Sequence, residues 1–163
     1  MTGLLLMAAA FAASVGRGNL SSPDAILQFN LGVSPAAVVQ VMGGQGYQSN
    51  LPQAIVLEFR DESEDLDDDP VWRFYFQNPG SRLAVVTRNF EKGADVSSLF
   101  PAETSSKHFV PNAQKPMVTL LSRPAGPHRI LIAVMQQPNA SLAGQLVLTT
   151  PEHAALLFPV LSH

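Results

Sequence analysis

Cysteine is absent from the 163 residues. That removes disulfide scaffolds, thiolate zinc sites, cysteine nucleophiles and a lipidated N-terminal cysteine in one step. It leaves the redox compartment open, since a chain without thiols suits either. Charge is also scarce, at 14% of residues against roughly 25% in ordinary soluble domains. The formal net charge of −3 excludes a global basic field for nucleic acid. No G-x-S-x-G elbow is present, so a serine hydrolase triad is not written locally. His108, His128, His153 and His163 show none of the H-x-H, H-x-x-x-H or H-E-x-x-H spacings of metal sites. No repeat at a solenoid period is present.

What is there is apolar material and one dense acidic run. Aliphatic and aromatic residues make up 46% of the chain, enough for a sizeable core, and overall disorder is excluded. Residues 61–69, from Asp61 to Asp69, hold seven of the thirteen acids; without them six acids face ten bases, a formal +4. Laid on an EF-hand loop beginning at Asp61, the run places Leu66 at the glycine position and Trp72 at the glutamate position, so an EF-hand is excluded. A solvated hairpin tip is the first reading, and an electrostatic contact for a basic partner the second.

Residues 3–16 carry no charge and almost no polarity. As a helix they would reach about 21 Å, short of the roughly 30 Å of a bilayer core. An apolar signal region fits that length, with Ala10-Phe11-Ala12 or Ser14-Val15-Gly16 as a small-residue cleavage site. The first positive charge, Arg17, follows the run rather than preceding it. Three readings therefore stay open: an export signal, a retained membrane-associated or partner-buried helix, and an ordinary buried helix. The chain is divided accordingly into a signal-like or anchor segment, 1–18, and a single α+β domain, 19–163.

Within that domain, Leu27, Phe29 and Leu31 alternate with Gln28 and Asn30, predicting a half-buried strand. Ser34-Pro35 then starts a short helix, with Ser34 as the N-cap acceptor, that stops at Gly43-Gly44. Alternation predicts an antiparallel meander over 54–90, with Trp72, Phe74 and Phe76 on one face and a type II turn at Asn78-Pro79-Gly80-Ser81. Residues 91–116 show no period, which marks a functional loop or an unrecognised element. The runs 117–121 and 130–135 read as strands covered on both faces. Leu146–Leu148 adds a strand, and Thr150-Pro151 starts a second helix. The predicted architecture is α+β, mostly an antiparallel sheet of about six or seven strands with two short helices, plus an apolar N-terminal helix.

The Gly43-Gly44-Gln45-Gly46-Tyr47 cluster follows a helix and lacks the lysine of a phosphate loop, so it reads as a helix stop. Trp72, Phe74 and Phe76 read as a core face before a stacking platform. His108, beside Lys107 in the irregular segment, is the best histidine for a surface role; His128 reads as exposed at a turn. Asn19-Leu20-Ser21 and Asn139-Ala140-Ser141 are glycosylation sequons. Gly32-Val33-Ser34 with Val38, Met42 and Gly43 resembles the first-helix pattern of small bacterial outer-membrane assembly lipoproteins. The likeness covers about a dozen residues of common types, and it implies short helices beside a three-stranded meander. The lipidated cysteine of those proteins has no counterpart here, so the chain is assigned to no family on this ground.

The sequence thus points to a non-enzymatic accessory or binding domain, exported (secreted, periplasmic or lumenal) or membrane-associated, working in a larger assembly with a protein partner or membrane complex. No catalytic, cofactor-binding or metal-ligating residue and no cofactor is expected, and no nucleic acid. The alternative is an enzyme or metal-dependent binding protein with a site built from the 91–116 loop, His108 and the acidic loop 61–69. If a partner completes the cover of the C-terminal strands, a contiguous apolar patch should be exposed there rather than around Trp72.

Overall fold

The computed structural model describes residues 20–44, 46–60, 71–136 and 141–162. Their strands form one antiparallel sheet of eight: β1 (Tyr47–Leu51), β2 (Ala54–Phe59), β3 (Trp72–Gln77), β4 (Arg82–Ala94), β5 (Ser105–Phe109), β6 (Val118–Pro124), β7 (Ile130–Met135) and β8 (Ala143–Thr149). The spatial order is β1-β2-β3-β4-β8-β7-β6-β5. Two meanders of consecutive strands therefore meet at the antiparallel β4–β8 pair. Two short helices, α1 (Pro35–Met42) and α2 (Pro151–Leu157), and the 3-10 helices Pro23–Gln28 and Pro159–Ser162 complete the described elements.

One face of the sheet carries the larger core. Trp72, Phe74 and Phe76 on β3 point there with Leu57, Val86, Leu131, Ala133, Leu146 and Leu148, as the alternation of β3 requires. Phe29 meets Phe74 and Trp72 edge-on at centroid distances of 4.8 and 5.4 Å, a favoured aromatic geometry. Segment 20–42 covers this face through Ala25, Ile26, Phe29, Val38 and Met42, joined by Val96, Leu99 and Phe100 from the β4–β5 connection. The opposite face packs Val85, Leu120, Ile132 and Val147 against Ala154 of α2, with Phe158, Val160 and Leu161 alongside.

The C-terminal runs are thereby covered on both sides within the chain. Leu120, Leu131, Ile132 and Ala133 have no exposed surface, Val118, Leu121, Ile130 and Val134 are half-buried and Met117 is 51% exposed, so most of the surface expected to form an apolar patch on the C-terminal strands is covered within the chain. Segment 91–116 is resolved in part as structure. β4 continues to Ala94 through a bulge, the next turn enters the core, and β5 follows. β5, together with β1 after the Gly43–Tyr47 helix stop, was not expected from the sequence, and these two strands raise the number to eight although the one expected at 27–31 is not formed.

Other local expectations are corrected. The half-buried strand expected over 27–31 is not formed: Leu27 and Gln28 end the 3-10 helix Pro23–Gln28, and 29–31 pair with no strand, because Pro23 favours a helical start and Phe29 is buried against the larger core. Ser34 precedes α1 as expected, with Pro35 in its first turn, yet its hydroxyl makes no cap bond; Gly43, at φ 73°, ends the helix in the left-handed region. In the β3–β4 turn Gly80 takes the expected positive φ, 93°, and the Asn78–Pro79 bond is cis. The apolar N-terminal helix and the acidic loop 61–69 lie outside the described residues.

Candidate functional site

A cleft of about 580 Å³ opens at the end of the sheet where β3 finishes, β4 and β7 begin and β8 passes into α2. Its apolar lining comes from Leu31, Leu83, Ala84 and Pro127, and its polar lining from Asn30, Gln77, Arg82, His128, Arg129, Thr150 and His153. No Asp or Glu lines it among the described residues. In a chain with ten Lys and Arg, two arginines and two histidines converge on one opening.

Each cation is held differently. Arg129 donates to the Phe29 carbonyl at 3.1 Å and the Ala125 carbonyl at 2.8 Å, pinning the covering segment to the β6–β7 turn. Arg82 donates to the Gly32 carbonyl at 3.3 Å, and the rest of its guanidinium makes no hydrogen bond among the described residues. The backbone of that segment is itself tied to β4, with the Gly32 amide donating to the Leu83 carbonyl and the Leu83 amide to that of Val33.

His153 stands between two partners, Thr150 Oγ1 at 2.9 Å from Nδ1 and Gln77 Oε1 at 3.2 Å from Nε2. Thr150 also caps α2, its hydroxyl accepting from the His153 amide at 3.3 Å. His128 occupies the tip of the β6–β7 turn in a left-handed backbone, φ 54°, exposed and without a hydrogen bond among the described residues. Beside the rim, the Glu152 carboxyl is held below its usual range by a bond from its own backbone amide and by the Thr150 hydroxyl, with smaller help from the charges of His128 and His153.

His108 lies elsewhere, on edge strand β5, exposed and bonded through Nδ1 to Thr119 Oγ1 at 2.9 Å. The turn of the 91–116 segment is tied inward, since Arg123 donates to the Leu99 carbonyl and lies over the Phe100 ring at 5.9 Å. Among the described residues no group of three His, Asp or Glu could hold a metal ion. The cleft itself escapes local sequence patterns, because Gln77, Arg82, His128 and His153 meet only through the β4–β8 and β7–β8 pairings. The available hints were the helix start at Thr150-Pro151 and the Gly126-Pro127-His128 turn. Compared with known proteins, the chain matches no family model, no curated protein and no solved structure.

Proposed function

We propose that this chain is a non-enzymatic accessory or binding domain, exported or membrane-associated, that works within a larger protein assembly. The position of its large exposed apolar side chains carries the reading. Tyr47 and Leu51, 67% and 50% exposed, project from edge strand β1. By the register through Ser49, Val56, Tyr75 and Val85 they share the sheet face on which α2 packs. On α2, Leu156 and Leu157 stand 78% and 50% exposed. Exposed aromatic and apolar side chains suit the core of a protein interface, and the Glu58–Arg73 and Glu58–Arg60 ion pairs beside Tyr47 suit its polar rim. The uncharged segment 3–16 supports export or membrane association; no helix among the described residues is long and apolar enough to cross a membrane.

The test is native electrophoresis of the chain extracted in mild detergent from the cells that make it. The expected result is migration above the monomer, lost in Y47S/L51S or L156Q/L157Q while the melting temperature of the purified variants stays unchanged. Migration as a free monomer in every extract would reject the proposal.

A further inference from the structure

We infer that the cleft between the β3–β4 hairpin, the β6–β7 turn and the start of α2 binds a small organic anion, a carboxylate or phosphate head carried on a compact apolar body. The site stands independently of the partner reading above. Arg82 supplies the head-group recognition. One of its nitrogens is anchored on Gly32 and the remainder of the planar donor fork makes no bond among the described residues, and such a fork matches the two oxygens of a carboxylate or phosphate. An arginine anchored at one corner is preorganised, so less side-chain freedom is lost on binding.

His128 is the second contact. Its ring makes no hydrogen bond among the described residues, and its φ of 54° lies where a β-carbon is disfavoured. Backbone held against preference concentrates at ligand-binding positions. Leu83 and Ala84 are nearly buried and with Leu31 and Pro127 offer an apolar wall, which inorganic phosphate would not use and an aryl or short alkyl body would. Arg129 and His153 already hold protein partners, and Arg129 contributes charge rather than direct contact. The absence of Asp and Glu from the described lining argues against a cationic ligand, and at about 580 Å³ the space suits a small molecule.

The test is an amide-resolved NMR titration of the full chain with benzoate, phenyl phosphate, inorganic phosphate and, as an uncharged control, benzamide. Benzoate or phenyl phosphate is expected to shift the amides of 82–84, 128 and 129 saturably, and benzamide to leave them in place. Whichever aryl probe binds more tightly identifies the head group. Arg82→Gln should weaken binding roughly tenfold or more, as loss of a charged hydrogen bond does, with Arg82→Lys in between. His128→Asn tolerates the same backbone and breaks no described hydrogen bond, so it should fold normally and bind several-fold more weakly. Inorganic phosphate binding as tightly as the aryl probes would overturn the ligand class. No saturation at millimolar probe, shifts centred away from the cleft, or unchanged binding in both Arg82→Gln and His128→Asn would overturn the site.

Discussion

Thr87 and Arg88 are neighbours on β4, both nearly buried, and they show opposite ways of placing a polar group in a sheet. Arg88 donates to the Ser21 and Ser22 carbonyls and lies 4.8 Å from the ring centres of Trp72 and Phe90. Two backbone carbonyls and two aromatic faces take up its charge through the terminal nitrogens and the guanidinium plane, and it clamps the covering segment to the central strand. Thr87 faces the other way, between Arg73 and Val147, and its hydroxyl has no hydrogen bond among the described residues. A buried hydroxyl left unpaired costs roughly 1–3 kcal/mol. Thr87→Val keeps the shape and removes that cost, so chemical denaturation should show a gain of about 1 kcal/mol with an unchanged slope. Glu152 gives a pH prediction. Its folded-state pKa is lowered by hydrogen bonds to its own amide and to Thr150, so its contribution is present above the ordinary glutamate range and is lost as pH falls through the lower folded value. Carbon-detected NMR titration should find it titrating below unperturbed glutamate, and Thr150→Val should move it back up.

At the scale of elements, legibility followed the range of the cause. The face shared by Trp72, Phe74 and Phe76, the start of α2 at Thr150-Pro151 and the stop of α1 at Gly43 depend on neighbours a few residues away, and each is readable from period or cap chemistry. The alternation over 27–31 marks half-burial correctly, with Phe29 buried and Gln28 and Asn30 exposed, but the segment buries that side against the sheet's larger core rather than by pairing as a strand. The continuation of β4 was hidden by Lys92-Gly93, which looks like a break and is a bulge. Gly93 has φ +73°, and a β-carbon there would run into the Gln136 side chain and lie 2.8 Å from Leu142 Cβ. Gly93→Ala is therefore expected to lower stability by more than the ~1 kcal/mol of backbone preference alone, detectable as a lowered melting temperature. The candidate cleft was the least legible feature, since its members come from four separate stretches and no spacing joins them.

For the whole molecule, the governing fact is the strand order. Each meander pairs only with its own sequence neighbours, and the halves are joined by β4 and β8, whose bonded residues Ala84 and Thr149 are 65 apart in sequence. Local hairpins close quickly, whereas a junction of that separation carries a large loop-closure cost and arrives late. The exposed stretch Pro101-Ala102-Glu103 connects the halves, so a cut after Ala102 divides the chain into two intact meanders. Each piece would bare the apolar edge of β4 or β8, a self-association hazard by itself. Mixed from denaturant in equal amounts, the two fragments should complement one another, recovering near-ultraviolet circular dichroism and a cooperative melting transition that neither shows separately. The same order sets what a ribosome releases first: a half-sheet with its most hydrophobic edge open, waiting for the last strand to be synthesised.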